Sequence, residues 1–413
     1  MARPAQSEGT KDVRADRYHP ALASRGSSWR ILWPFAVVVA LGIVWTGLWY
    51  YAAHIAEQTL AGWRAREAVA SRIHTCKSQT IGGFPFRIEM RCIEPVVEIR
   101  SLQPPLTIRG LDIVIVAQVW DPTLLISEIA GPVNVSESGA QTTTATWTLA
   151  QASLRGLPTA PERVSLVFDK PAFTRAANGG TETILKAEHL ELHGRLASGS
   201  AAANPAIDIA INLVKTTAPA LSPYAAKPVD ADITGTLHGL NDLTAKSWPQ
   251  RFKDLQAGNG RFEITKMRIA QGDVVAAAIG ALKLSARGRL DGELRVTVAN
   301  VEQAIAALGL DRLLAQATGN QATAGNSGRL SQFAPALGNL EKQVPGLANS
   351  LERLAPGLGG LVRGQPEGIA ALVRTLGTPA ELEGKRAVTL TVRFSDGRAS
   401  LGPIPLGEVP PLF

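Results

Sequence analysis

The sequence predicts an α+β chain that is mostly β: a single N-terminal transmembrane helix followed by a curved antiparallel β-sheet with a helical insert. Three observations predict this class. One uncharged apolar run lies near the N-terminus, over residues 31–53. Many later segments alternate apolar and polar residues with period two, as half-buried strands do. A leucine-rich stretch at about 300–376 has helical spacing instead.

Residues 1–30 form a basic tail. They contain six basic groups against three acids, and so carry three of the seven net positive charges of the chain. A nucleic-acid-binding protein concentrates its basic residues in a folded domain and interleaves them with aromatic residues. Here the basic excess is densest just before an apolar run. This pattern is typical of the cytoplasmic flank of a membrane anchor, and we expect no nucleic-acid partner.

The apolar run 31–53 has the length and the ends of a membrane-spanning helix. A helix over it would be about 34 Å long, enough to cross a hydrocarbon layer of roughly 30 Å. Tryptophans stand at its start, and Trp45, Trp49 and two tyrosines stand near its end, as in an interfacial aromatic belt. The alternative is a cleaved signal peptide, which has a shorter apolar region and small residues at its cleavage site. We therefore expect a single-pass signal-anchor with residues 54–413 exported.

The two cysteines, Cys76 and Cys92, both belong to the exported region. An oxidising compartment favours a disulfide over a metal site or a redox pair, and the spacing lacks a Cys-x-x-Cys pattern. A bridge would close a loop of about 17 residues and stabilise the fold by about 3 kcal/mol in the chain-entropy model. The alternative is two free buried thiols.

Strands are predicted along most of the exported region. Residues 54–75 are expected to continue the membrane helix, and a short helix is expected at 247–257. A half-buried strand follows Gly82-Gly83, because Phe84, Phe86, Ile88, Met90 and Cys92 share one parity. Further strands are predicted at 96–100, 106–119, 143–155, 163–169, 183–196, 206–214, 229–237, 260–269 and 274–279.

Two hairpins are predicted from the parity of apolar residues. The first has a uniform apolar face formed by Leu282, Leu284, Leu290, Leu294, Val296 and Val298. A three-residue loop at 291–293 with Gly292 left-handed keeps this face uniform, and one long bent strand is the alternative. Near the C-terminus, a two-residue Asp396-Gly397 loop pairs Phe394 with Ala399, which matches a type I′ turn.

The helical insert at about 300–376 lies between these hairpins. Its leucines at 347–361 have helical spacing, but glycines and Pro356 interrupt them. Residues 317–328 are polar and glycine-rich and are predicted to form a loop. We interpret the insert as packing helices; the alternative is a lid, a partner-binding segment or a membrane-contacting segment.

No residues make a positive case for catalysis. His189, Glu191 and His193 in HLELH do not match a zincin, which needs its glutamate directly after the first histidine and on a helix. On a strand they would form an exposed polar stripe. The sequence has no nucleophile elbow, no P-loop and no complete dinucleotide fingerprint. We therefore predict no catalytic residue, no metal ligand and no cofactor, and expect the protein not to be an enzyme.

The exported region resembles the bacterial domain of unknown function 2125 family. The resemblance rests on IGGFPFRIEMRC, which ends at Cys92, on AQVWDPTLLISEIAGP at 117–132, on GRLDGELRVTVAN at 288–300 and on the C-terminal SDGRASLGPIPLGEVPPLF. That family carries no established activity, so the resemblance implies no catalytic residue. The order of one anchor, a Gly-aromatic-Pro-aromatic strand and many amphipathic strands is also similar to AsmA-like envelope proteins. This second resemblance implies a long curved sheet with a lipid-accommodating groove.

The leading hypothesis is a non-enzymatic periplasmic protein that is anchored in the inner membrane through residues 31–53 and handles lipids in cell-envelope maintenance. Acyl chains would contact the uniform face of the first hairpin, whereas the strand with Ile88 would fill a core. The alternatives are a ligand-free interaction scaffold with a fully packed core and a hydrolase whose site a single sequence does not reveal. An apolar groove distinguishes the first hypothesis from the scaffold. Protein partners and oligomeric state are not predicted.

Overall fold

The structure is a computed structural model that is mostly β, as the sequence predicts. It describes residues 29–102, 104–137, 142–157, 160–177, 180–220, 223–244, 246–307, 373–401, 404–409 and 411. The chain divides into two compact units, of which one ends at Tyr51 and the other begins at Ala52.

The first helix, α1, extends over Trp29–Val69. Its stretch Leu32–Val69 is, within the described part of the chain, the one helix long and apolar enough to cross a membrane by length and composition. A single helix of this kind near an N-terminus is weak evidence of a single-pass anchor, since signal sequences have the same character. The predicted continuation of this helix to residue 75 is wrong at its end, because the chain turns after Val69 and enters a strand.

Antiparallel strands form the rest of the fold. In chain order they are β1 (Arg72–Thr75), β2 (Ser78–Gly82), β3 (Arg87–Ile93), β4 (Val96–Ile99), β5 (Leu106–Arg109), β6 (Asp112–Gln118), β7 (Asp121–Ala130), β8 (Val133–Glu137), β9 (Thr143–Thr146), β10 (Leu149–Arg155), β11 (Arg163–Asp169), β12 (Ala172–Ala177), β13 (Gly180–Lys186), β14 (His189–Ser200), β15 (Ala203–Thr216), β16 (Val229–His238), β17 (Arg261–Gln271), β18 (Val274–Leu284), β19 (Leu290–Ala299), β20 (Thr378–Leu382), β21 (Lys385–Ser395), β22 (Arg398–Leu401) and β23 (Ile404–Glu408).

The strands belong to two sheets. Sheet A has seven strands in the order β1-β4-β5-β8-β9-β12-β13. Sheet B has sixteen, in the order β2-β3-β6-β7-β10-β11-β14-β15-β16-β17-β18-β19-β21-β22-β23, with β20 also paired to β21. The chain therefore alternates between the sheets in pairs of strands up to β13 and then stays in sheet B.

The two sheets are continuous through a row of corners. Three long hairpins, β3 to β6, β7 to β10 and β11 to β14, each leave sheet B, turn within sheet A and return. Each outgoing strand changes sheet at a proline, namely Pro95, Pro132 or Pro171. Proline has no N–H to donate to a ladder, so it suits a position where pairing is interrupted. The residues before two of these prolines, Glu94 and Lys170, have φ of 49° and 48°.

The returning strands pass similar corners, and this corrects three predictions. Alternation predicts one strand in each of the segments 106–119, 143–155 and 183–196, but each segment forms two strands that lie in different sheets. Two residues separate the halves in every case, as Gly110 and Leu111 do between β5 and β6. The alternation of apolar residues continues closely enough through such a corner to resemble one strand.

Glycines and bulges interrupt the regular ladder in the later strands of sheet B. The pairing of β16 with β17 and that of β17 with β18 both contain a register shift, beside Gly235 and between Ile264 and Met267. On β18 and β19, Gly280 and Gly292 have φ of 149° and 136°. A Cβ on either residue would overlap a carbonyl oxygen of the neighbouring strand, so glycine is required there. Bulges and glycines of this kind bend a strand locally.

The two predicted hairpins have different outcomes. The 291–293 loop is wrong: β19 is continuous through Gly292, and the chain reverses at 285–289, where Leu284 pairs with Leu290. The predicted Asp396-Gly397 loop is confirmed, because Phe394 pairs with Ala399 and both loop residues have positive φ. The alternation of apolar residues did not distinguish a turn at 285–289 from a turn at 291–293. Gly292 has no side chain, so it can stand among the apolar positions of a strand as well as in a loop.

Two short α-helices and a 3-10 helix at Pro223–Ala226 complete the described structure. The predicted helix at 247–257 is confirmed as α2, Trp248–Ala257, whose Leu255 is buried. The helical insert begins with α3, Val301–Ala307. The predicted loop at 317–328 and the leucine repeat at 347–361 lie outside the described residues.

One cluster of buried residues in sheet B lies where β18, β19 and β21 pair. Val275, Ala299 and Ala387, which pair directly across β18, β19 and β21, are 4%, 0% and 5% exposed. They lie on the face of the sheet opposite to Leu282 and Leu294, because their positions have the other parity. Buried residues therefore occur on both faces of sheet B, since Ile264, Ala278 and Leu401 on the other face are 4%, 6% and 6% exposed.

Candidate functional site

One face of sheet B is apolar from β3 to β22. Residues that pair directly across antiparallel strands point to the same side of a sheet, so the register defines this face. One cross-strand row consists of Ile88, Ala117, Leu125, Leu154, Val164, Gly194, Ile209, Gly235, Ile264, Gly280, Leu294, Val392 and Leu401. We call the face that carries this row the apolar face.

The neighbouring row of the same face is uncharged as well. It consists of Met90, Ile115, Ser127, Ala152, Leu166, Leu192, Ile211, Ile233, Met267, Ala278, Val296 and Leu390. Its one hydroxyl, on Ser127, donates a hydrogen bond to the carbonyl oxygen of Ala152. At a strand spacing of about 4.8 Å, the first row extends for about 58 Å along the sheet.

The apolar face is only partly covered. Ile264 and Leu401 are 4% and 6% exposed, but the other large side chains of its two rows are half-buried or exposed. Val164 and Leu192, on the neighbouring strands β11 and β14, are 40% and 39% exposed. In a closed core, side chains of this size would be fully buried. The face therefore has the chemistry of a core and the solvent access of a surface.

The six predicted lipid-facing residues lie together on this face. Leu284 pairs with Leu290, and Leu294, Val296 and Val298 pair with Gly280, Ala278 and Ala276, on the same parity of β18 as Leu282. All six are half-buried. Their common face is thus as predicted, although the turn that joins their strands is at a different place. Their contact with lipid stays a prediction.

The strand predicted to fill a core and the strands predicted to line a groove contribute to one face of sheet B. Ile88 and Met90 lie on the same apolar face as Leu294, since the two cross-strand rows connect them. Phe84 and Phe86 precede β3 rather than belonging to it, and they are 52% and 59% exposed. Sequence parity describes each strand alone, whereas the register across the intervening strands makes these segments one surface.

The opposite face of sheet B is polar and carries ion pairs between neighbouring strands. Arg155 pairs with Asp121 at 3.0 Å, and Arg195 pairs with Asp208 at 2.6 Å. These side chains are partly exposed, and surface ion pairs of this kind stabilise a fold little. The pairs show that this face is in contact with water around β7, β10, β14 and β15, whereas Val275, Ala299 and Ala387 are buried on its part near α3.

The HLELH segment lies on β14 and forms a polar stripe on this hydrated face, as predicted for a strand. Both ring nitrogens of His189 are hydrogen-bonded, to Asp169 at 2.6 Å and to Glu191 at 2.7 Å. His193 binds the second oxygen of Glu191 at 3.1 Å. The hydrogen bond to Glu191, followed by that to Asp169, raises the pKa of His189. In the described part of the chain, no three His, Cys, Asp or Glu residues are placed to hold a metal ion.

The cysteines join the connection between β1 and β2 to β3, close to the last turns of α1. Cys76 lies between β1 and β2, Cys92 lies on β3, and the structure joins them by a disulfide with a Cα–Cα distance of 5.5 Å. Arg64 of α1 donates a hydrogen bond to Cys76 Sγ at 3.3 Å. Beside it, the ring of Trp63 contacts that of His74 at a centroid distance of 4.5 Å. Burial lowers the pKa of His74.

Sequence reasoning missed the corners, although a signal for them was present. Pro95, Pro132 and Pro171 recur at similar intervals, and each stands two residues after the end of a strand of sheet B. A search for internal repeats would have found a bent-hairpin unit repeated three times. That unit would have predicted two sheets rather than one.

The comparisons with known proteins identify a family without an assigned activity. The family model described as an uncharacterized protein conserved in bacteria (DUF2125) matches residues 49–410. The match includes both sheets and both cysteines. No curated protein matches the chain.

Proposed function

We propose a function for this chain, which belongs to the DUF2125 family of uncharacterised bacterial proteins. The chain is a non-enzymatic protein that is anchored in the inner membrane through residues 31–53 and binds lipid acyl chains on the apolar face. Its role is lipid handling in maintenance of the cell envelope. Residues 54–413 form a periplasmic β-rich region, and the N-terminal tail is cytoplasmic.

One observation carries the lipid part of the proposal: the apolar face has no charge in its two central rows and yet is incompletely covered. Monomeric proteins seldom expose contiguous apolar patches of more than a few hundred Å², and larger patches mark binding sites. The described side chains that form the rows offer almost no hydrogen-bonding groups. A ligand without polar groups along its length, such as an acyl chain, fits this surface better than a sugar, a nucleotide or a polar peptide.

The dimensions of the apolar face agree with this ligand. The row of about 58 Å along the sheet is roughly twice the hydrocarbon thickness of a bilayer, which is about 30 Å. Acyl chains can therefore lie along the row, and several can do so at once.

The membrane part of the proposal rests on the apolar run and its flank. The basic tail favours a cytoplasmic N-terminus, and the disulfide between Cys76 and Cys92 is suited to an oxidising compartment. A fusion of alkaline phosphatase after Phe413 tests the topology. The fusion should be active, and the matching β-galactosidase fusion should be inactive. The reverse pattern, or a soluble protein that lacks residues 1–53, would refute the anchor.

Lipid retention tests the apolar face directly. The full chain is purified in a non-lipid detergent, and the phospholipid that it retains is extracted and quantified by mass spectrometry. Leu294→Asp places a carboxylate on the apolar face, and Thr391→Asp places one on the opposite face, one strand away. We expect retention by the wild type and by Thr391→Asp, and its loss from Leu294→Asp. A folded wild type without lipid would favour the ligand-free scaffold instead.

A further inference from the structure

A second surface lies at the hairpin edge, which we define as the end of sheet B where β2–β3, β6–β7 and β10–β11 reverse. Three large aromatic residues are exposed there: Phe84, Phe86 and Trp120 are 52%, 59% and 65% exposed. The rings of Phe86 and Trp120 are 6.3 Å apart between centroids. The two turns that carry them are neighbours, because β3 pairs with β6.

Three arginines continue this edge on the next strands. Arg155, Arg163 and Arg195 lie directly opposite one another across β10, β11 and β14. Two of them have acidic partners: Asp121, which follows Trp120, binds Arg155, and Asp208 binds Arg195. For the middle arginine, Arg163, no ion pair is formed within the described residues.

This arrangement is unfavourable for the isolated protein. Like charges directly opposite each other destabilise an antiparallel sheet. Asp121 and Asp208 compensate the two outer arginines, so this cost falls mainly on Arg163, which lies between them. Exposed aromatic rings add apolar surface to water at the same end of the sheet. A single partner that is anionic at its surface and apolar just below it would relieve both costs.

We propose that the hairpin edge binds the surface of an anionic phospholipid bilayer. The rings of Phe84, Phe86 and Trp120 enter the interfacial layer, where amphipathic and aromatic side chains are favoured. Arg163, which forms no ion pair within the described residues, binds a lipid phosphate group, for which the guanidinium fork is suited. This contact is separate from the span at residues 31–53 and does not depend on lipid binding by the apolar face.

Vesicle flotation tests the proposal with the full chain. The protein is reconstituted in nanodiscs of neutral phosphatidylcholine. The lipid of the disc surrounds the apolar run 31–53, and the disc itself offers no anionic surface. The discs are mixed with vesicles of phosphatidylcholine alone or with about one-third phosphatidylglycerol and are then floated. We expect binding to the anionic vesicles only, weakening as salt screens the arginines. Equal binding to both kinds of vesicle, or none, would overturn the proposal.

Substitutions at the hairpin edge test whether vesicle binding depends on its arginine and its aromatic rings. Arg163→Gln should weaken partitioning about fivefold, as expected for one basic group near an anionic surface. Phe86→Ser with Trp120→Ser should weaken it about tenfold or more. The matched controls are Arg175→Gln, an exposed arginine of sheet A, and Trp248→Ser, an exposed ring on α2. Both controls should bind as the wild type does.

The controls also separate a membrane from a protein partner. If the edge binds a protein instead, its arginines and rings are dispensable for vesicles, and all variants would float like the wild type. Equal losses in the edge variants and in the controls would mean that charge and ring number, rather than this edge, determine binding. Either result would overturn the proposal. Circular dichroism of each variant confirms that its strands are intact.

Discussion

Leu294 and Ile264 belong to the same cross-strand row of the apolar face but differ in burial. Both pair directly with Gly280, one from each side. Ile264 is 4% exposed, whereas Leu294 is half-buried. An aspartate at either position therefore tests whether this face is a closed core or an open surface. The two substitutions replace side chains of similar size on the same face, so they differ mainly in burial.

The expected costs differ because burial differs. Ile264→Asp loses about 1.5–3 kcal/mol of apolar burial and leaves an unpaired carboxylate in a buried site, which adds several kcal/mol. We expect a total above about 4 kcal/mol, enough to unfold a marginally stable region. Leu294→Asp loses only part of the apolar burial, and its carboxylate keeps contact with water. We expect a cost of about 1–2 kcal/mol.

Urea unfolding of the full chain in a mild detergent, followed by circular dichroism at strand wavelengths, measures both costs. Thr391→Asp, which places the charge on the hydrated face, is the control and should cost less than about 0.5 kcal/mol. The reasoning predicts a folded Leu294→Asp variant and an unfolded or severely destabilised Ile264→Asp variant. Comparable destabilisation by the two changes would refute the interpretation of an open face.

Three further predictions concern stability. Replacing Cys76 and Cys92 with serine should lower the free energy of unfolding by about 3 kcal/mol in urea titrations, because the bridge closes a loop of about 17 residues; an unchanged midpoint would contradict it. The pKa of His189 is raised by its hydrogen bond to Glu191 and by a second carboxylate. Its stabilisation should be complete below about pH 6.5 and lost as the pH rises through the raised value, so melting points of wild type and His189→Gln should converge at alkaline pH. A constant difference would count against it. Gly397 has φ of 81°, and a Cβ added there would lie 2.8 Å from the carbonyl oxygen of Val409. Alanine at this position should cost about 1–2 kcal/mol in the same titrations, and wild-type stability would exclude that strain.

Local patterns predicted the individual strands and one turn. The parity of Phe394 and Ala399 placed the Asp396-Gly397 turn at the right residues, because a two-residue loop has few registers that keep one face apolar. The same method placed the earlier turn at 291–293 instead of 285–289. Gly292 is compatible with either face, so the pattern there had two solutions and the sequence could not choose between them.

The division into two sheets was not predictable from parity, because it depends on corners. At each corner only a few residues interrupt the ladder, and the apolar alternation resumes on the other side. The alternation of apolar and polar residues indicates which side of its own strand a residue faces. It carries no information on the sheet to which the strand belongs.

The sequence predicted which residues of β18 and β19 share an apolar face, but not how far that face extends across sheet B. Leu282 and Leu294 were expected on one face of two strands, and they are. The continuity of that face with Ile88 depends on the register of every pair of strands between β3 and β19, which is long-range information. The exposure of Val164 and Leu192 depends on what covers the sheet, and patterning within a strand cannot report it.

Site-specific photo-crosslinking in living cells tests the central claim most directly. A benzophenone amino acid is placed at Leu284 on the apolar face or at the adjacent Lys283, which is exposed on the opposite face of β18. After irradiation, the full chain is purified and its phospholipid adducts are identified by mass spectrometry. Lipid binding on the apolar face predicts adducts at Leu284 and none at Lys283. Equal labelling of both positions, or no lipid adduct at Leu284 in a folded protein, would contradict it.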